Sequence, residues 1–132
     1  MSLVVDSSVW IAVLMREPER GPFLAALKGA RPTVQGAVTW LEASMVARGR
    51  LGEVGARLLE SLRDELEVRI VPFDESQAAV ALDAFARFGK GRHRASLNLG
   101  DCCSYAVSRT LRLPLLCKGD DFPRTDLELA AF

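Results

Sequence analysis

The residues of this sequence best suited to chemistry are carboxylates, and their placement matters more than their number. Asp6 closes the apolar run Leu3-Val4-Val5, and Asp120 and Asp121 follow Leu-Pro-Leu-Leu-Cys after a Lys-Gly step. Glu42 and Asp101 each fall in the first turn of an expected helix, in Thr-Trp-Leu-Glu and Asn-Leu-Gly-Asp. In open α/β sheets, ligands bind beyond the carboxyl ends of the strands, so a parallel arrangement would bring these acids to one edge. Carboxylates that close repel and raise one another's pKa. A hard divalent cation removes that penalty: Mg²⁺ takes oxygen ligands, keeps several waters and needs only one or two carboxylates, and Mn²⁺ suits the same donors. Such an ion can polarise a phosphodiester and activate a water.

Each acid also has a plainer reading. Thr39-x-x-Glu42 matches a capping box, Asn98-x-x-Asp101 comes close to one, and Asp74-Glu75-Ser76-Gln77 resembles another with no site nearby. Asp6 could be a turn or cap aspartate. Joint placement, not any single acid, favours a metal site. The stretch NLGDCCSYAVS sharpens the choice, because Cys102 and Cys103 follow Asp101 directly. Zinc would need a second, correctly spaced ligand pair. The chain has three cysteines and one histidine, with no C-x-x-C. The cysteines therefore read as small buried hydrophobes.

The elements that must position the acids follow from apolar spacing. Ser2 to Val5 is a short strand, and Ser7 is expected to cap a helix through Val9, Trp10, Val13 and Leu14. Pro18 suits the first residue of a second helix that ends at Gly29. A strand at Pro32 to Gln35 precedes helices over Trp40 to Arg50 and Glu53 to Leu66. Val68 to Val71 is a third strand, and Glu75 to Phe88 a helix. Gly89 to Ser96 is a basic loop, Leu99 to Leu111 a helix, and Leu113 to Cys117 a fourth strand before a final small one. Short apolar strands alternating with helices imply an α/β/α sandwich around a mainly parallel sheet of four to five strands.

The totals agree with one domain spanning residues 1–132, 49% hydrophobic and 26% charged. The 17 basic and 17 acidic side chains argue against nucleic-acid binding through bulk charge alone but leave room for a local basic patch. The amino terminus shows no signal peptide, no stretch is apolar enough for a membrane span, and the cysteine usage suits a reduced, cytoplasmic protein.

Taken in order, VVDSSVW, TWLEA, LNLGDCCSYAVS and LLCKGDDF resemble the motifs of the PIN-domain ribonucleases, and more narrowly the VapC toxins of bacterial toxin–antitoxin pairs. GKGRHRASLNLGD and KGDDFPRTD resemble one VapC subgroup, and the likeness runs from Leu3 to Asp126. The resemblance implies a Mg²⁺- or Mn²⁺-dependent endoribonuclease acting on structured RNA, such as tRNA or ribosomal RNA. The products would carry a 5′-phosphate and a 3′-hydroxyl. It makes Asp6 and Asp101 the principal metal ligands, with Glu42 completing the cluster directly or through water. Asp120 is favoured as the fourth acid and Asp121 is the alternate, while Ser7 is a further residue near the metal. It also implies a homodimer and a VapB-like antitoxin that blocks the acidic groove.

An acidic site repels RNA unless cations offset it, and Lys90, Arg92 and Arg94 lie just ahead of the Asp101 helix. A solvated loop is the alternative reading. His93, alone in the sequence, cannot form a histidine acid–base pair. Arg48, Arg50 and Arg57 could form a second patch or simply aid solubility. Trp10, Trp40, Met15 and Met45 could serve core or partner groove. Two other functions compete: a PIN-like binding module without turnover, and a Mg²⁺-dependent phosphatase or phosphotransfer domain. A dehalogenase-like phosphatase would need an aspartate where Ser8 stands. A receiver domain would need one at the end of the third strand, where Asp74 is displaced.

Overall fold

The structure is a computed structural model describing residues 1–132. Four strands run in the order β3-β2-β1-β4, with every neighbouring pair parallel. They are β1 (Leu3–Val5), β2 (Thr33–Gly36), β3 (Val68–Val71) and β4 (Leu115–Leu116). The helices are α1 (Ser7–Leu14), α2 (Arg20–Gly29), α3 (Ala37–Glu65), α4 (Glu75–Phe88) and α5 (Leu99–Leu111).

Alternation along the strands divides the core between the two faces of the sheet. Leu3, Val5 and Leu116 pack with Val9, Trp10, Phe23 and Leu59 from α1, α2 and α3. Val4, Val34 and Leu115 pack on the opposite face with Ala84, Tyr105 and Ala106 from α4 and α5. All three residues of β1 are buried, as expected of a parallel strand covered on both sides. The chain steps outward from β1 to β2 and β3, then returns to the other flank of β1 as β4. That reversal opens a crevice between the carboxyl ends of β1 and β4, the general ligand position of such sheets.

Several boundaries differ from the sequence expectation for local reasons. Asp6, not Ser7, is the N-cap of α1, accepting a hydrogen bond from the Ser8 amide at 3.0 Å. Thr39-x-x-Glu42 is no capping box, because α3 begins at Ala37 and the Thr39 hydroxyl donates to the Gly36 carbonyl at 3.2 Å. The other two caps form: Asp74 accepts from the Gln77 amide, and Asn98 and Asp101 complete a reciprocal box at α5. Pro18 lies in the turn ahead of α2. β4 is shorter than expected, because the Leu113 amide is spent on the end of α5, at the Ser108 carbonyl, and Pro114 has no N–H. The expected last strand is only a bridge from Leu129 to Leu115.

The expected pair of helices over residues 40 to 66 is one helical run interrupted at Gly52. Gly52 has φ 65° and ψ −153°, a conformation essentially restricted to glycine. A Cβ there would meet nothing within 4 Å, so backbone strain alone sets the cost of adding one. Gly52→Ala should therefore destabilise by about 1–3 kcal/mol. Urea titration should show a lower midpoint with an unchanged slope; an unchanged midpoint would contradict the assigned kink.

Candidate active site

β1 delivers Asp6 into the crevice, and the carboxylate is held on both sides. Its Oδ2 accepts from the Ser8 amide, which fixes it to the start of α1, and its Oδ1 accepts from the Ser104 hydroxyl of α5. Only 3% of Asp6 is exposed. Glu42 projects from the second turn of α3, where its Oε1 accepts from the Ser7 hydroxyl at 2.7 Å. Its other side presses on the start of α5: a Cβ added at Gly100 would fall 2.6 Å from Glu42 Oε2. Glycine at position 100 is thus what lets the Glu42 carboxylate reach the Asp101 turn.

Asp101 occupies the third position of α5, its Oδ2 accepting from the Asn98 amide at 3.1 Å while its own amide donates to Asn98 Oδ1 at 2.9 Å. The residue is both a helix cap and an acid aimed at the cluster. Burial is the main reason its pKa rises from the ordinary 3.8 to about 6, opposed by the Asn98 amide. The charges of Asp6, Asp121 and Glu42 add to the rise. These contributions place four acids from separate parts of the chain in one field. Of the adjacent pair, Asp121 is the one that acts on Asp101; it is half-buried, while Asp120 is exposed.

No three of the acids close tightly enough to enclose a metal ion unaided. The donors are nevertheless all oxygen, and Asp101 keeps Oδ1 outside the hydrogen bond to Asn98. Each carboxylate oxygen has two acceptor positions, so Asp6 also retains capacity beyond its two donors. A hard cation held by one or two carboxylates and several waters fits that set, whereas zinc does not.

The cysteines have no part in this set. Cys102, Cys103 and Cys117 are buried and free. Burial, reinforced by the acids' charges, pushes Cys102 up to about 11 and Cys117 to about 12. Thiols so strongly protonated pack as hydrophobes.

The loop of residues 89–97 is ordered without being periodic. Lys90 and Leu97 close it through backbone bonds, Lys90 N–H to Leu97 C=O and Leu97 N–H to Phe88 C=O. His93 has a structural role: Nδ1 accepts from the Ala95 amide and the ring stands edge-on to Phe88 at 5.2 Å. Lys90, Arg92 and Arg94 are exposed, and Arg124, in the short turn Phe122–Arg124 after β4, donates to the Arg94 carbonyl at 3.2 Å. Lys118, which sequence reasoning passed over, is drawn aside by Glu17 at 2.8 Å and Glu19 at 3.2 Å. Of the aromatic and methionine candidates, Trp10 is core, Trp40 and Met15 are half-buried, and Met45 is exposed. Arg48 pairs with Glu53, leaving Arg50 and Arg57 exposed.

This architecture has known relatives. The PIN-domain profile matches residues 3–128. Ribonuclease VapC36 of Mycobacterium tuberculosis is 42% identical over 96% of this chain and 91% of its own. Among solved structures, M. tuberculosis VapC20, a sarcin–ricin loop cleaving toxin, superposes with a TM-score of 0.77 over 95% of both chains at 18% identity. A toxin–antitoxin complex from Klebsiella pneumoniae gives 0.67 at 19% identity, over 91% of this chain and 89% of that one. The chain belongs to the PIN-domain family, within its VapC ribonuclease branch.

The raised pKa of Asp101 makes stability depend on pH with a definite sign. The unfolded chain loses this proton near 3.8 and the folded one near 6, so the group costs stability progressively as pH rises between those values. Above 6 the cost is complete. In EDTA, Asp101→Asn should melt higher than the parent at pH 7.5, with the gap narrowing as pH falls toward 4. A gap independent of pH would contradict the assignment.

Proposed function

We propose that this protein is a metal-dependent endoribonuclease and the toxin of a VapBC-type pair, acting on structured RNA in the cytoplasm. The observation that carries the reading is the convergence of Asp6, Glu42, Asp101 and Asp121 on one crevice, with Asp101 raised to about 6 by burial and its neighbours' charges. Asp6 and Asp101 hold the cation, Mg²⁺ or Mn²⁺, and Glu42 completes the set directly or through water. The half-buried position of Asp121 and its action on Asp101 support it over Asp120 as the fourth acid. When bound, the ion supplies Lewis acidity and an activated water for phosphodiester hydrolysis. Ser7 orients Glu42 through their hydrogen bond, and Gly100 keeps the approach open.

Lys90, Arg92 and Arg94 hold RNA phosphates beside the acids, on a loop whose backbone is already ordered. Apolar surface next to the site supports a protein partner. A groove of about 370 Å³ is lined by Phe73, by Leu82 and Phe85 of α4, and by Leu99, Cys102 and Cys103 of α5, the helix that carries Asp101. On α3, Leu41 and Met45 flank Glu42 and are 58% and 65% exposed. A VapB-like antitoxin covering the acids and a second copy of the chain are the partners this reading assigns. The Klebsiella neighbour is itself a toxin–antitoxin complex.

Antitoxin-free protein incubated with a structured-RNA pool should yield discrete products with Mn²⁺ or Mg²⁺ and none in EDTA. Asp101→Asn should lower the rate at least about a hundredfold. RNA that is bound but left intact would favour the binding-module reading, and cleavage that survives EDTA would contradict metal dependence. Exchanging Lys90, Arg92 and Arg94 for glutamate should weaken RNA binding and flatten its salt dependence, by about 0.7 in log–log slope for each phosphate no longer neutralised.

A further inference from the structure

Asp6 and Asp101 reach the crevice on different elements, so something must fix the distance between them. Each is pinned locally, Asp6 to the Ser8 amide of α1 and Asp101 to the Asn98 amide at the start of α5. Those bonds orient each carboxylate on its own helix and leave the two helices free to settle relative to each other. The one side-chain hydrogen bond joining α5 to the β1–α1 junction is Ser104 Oγ–H to Asp6 Oδ1. Ser104 is three residues beyond Asp101, hence on the same face of α5, and is 1% exposed. A helical serine ordinarily turns back to the preceding carbonyls. Here its proton is committed across the layer to a carboxylate 98 positions away in sequence.

We propose that Ser104 is a positioning residue that sets the spacing and orientation of Asp6 against Asp101 for cation binding. The proposal rests on the acidic-site reading above. The hydroxyl donates one hydrogen bond to Oδ1, fixing the rotation of the carboxylate about its terminal bond. The remaining acceptor position on Oδ1 is then held in a constant direction relative to Asp101. Without the donor, the carboxylate keeps only the Ser8 amide and can turn about it. Residues that orient metal ligands in this way typically contribute about ten- to a hundredfold in metal affinity or activity.

The test measures Mn²⁺ affinity by calorimetry and single-turnover RNA cleavage on the full chain, comparing the parent with Ser104→Ala and Ser104→Cys. Cysteine restores the volume removed in the alanine variant but is a weak donor. Both variants should bind Mn²⁺ about tenfold or more weakly. Their cleavage should require correspondingly more Mn²⁺, while apparent RNA affinity measured in EDTA stays at the parent value. If Ser104 only fills space, Ser104→Cys will bind Mn²⁺ as the parent does, which overturns the proposal. Parent-like Mn²⁺ binding in both variants overturns it equally. If the parent itself binds no Mn²⁺, the acidic-site reading fails and takes this proposal with it. Should the alanine variant fail to fold, the volume-matched cysteine variant decides alone by the same affinity.

Discussion

The gathering of four carboxylates at the β1–β4 edge, where burial weighs on Asp101 more than mutual repulsion does, is the constraint on which the site depends. Asp6, Glu42, Asp101 and Asp121 come from four separated stretches of chain, and nothing in strand or helix formation asks them to meet. The parallel sheet brings them together by its topology: β1 lies inside the sheet, and the chain leaves it in one direction and returns on the other. The energetic consequence shows at Asp101, where burial and the surrounding acids hold the carboxyl well above its ordinary range. A fold that accepts such a cost at one edge gains from anything that neutralises it, and a hard divalent cation is the simplest such ligand.

The hydrogen bonds around the acids make sense in that light. Asp6 takes two donors, Ser8 N–H and Ser104 Oγ–H; Glu42 takes the Ser7 hydroxyl; Asp101 takes the Asn98 amide. All these donors are neutral hydroxyls and amides, so they orient the carboxylates without pairing them to a cation. Lys118, three residues before Asp121, is instead tied to Glu17 and Glu19 beyond the end of α1. The cations of the 89–97 loop are exposed and form no ion pair with these acids.

Much of this was legible in the sequence. The alternation of short apolar strands with amphipathic helices defines the sandwich, and the Asn98-x-x-Asp101 box, the helix break near Gly52 and the buried cysteines all stand as read. What was not legible depends on where a helix begins or on packing across layers. Thr39-x-x-Glu42 has the residues of a capping box, but helix formation two residues upstream makes Thr39 an interior position and frees Glu42 for Ser7. Between Asp120 and Asp121, adjacency hides which one enters the field of Asp101; it is Asp121, which immediately precedes the short 3-10 turn at Phe122–Arg124. Ser104 had a sequence signal, its i+3 spacing from Asp101, yet its partner lies 98 residues away and only the fold reveals it.

The most direct test of cation binding at this crevice is a crystal of the protein grown or soaked with Mn²⁺ and measured near the manganese absorption edge. An anomalous peak is expected between the Asp6 and Asp101 carboxylates, with waters completing the coordination and Glu42 within water-mediated reach. Well-ordered acids with no peak between them at saturating Mn²⁺ would contradict a metal-dependent site, as would a peak confined to some other part of the surface.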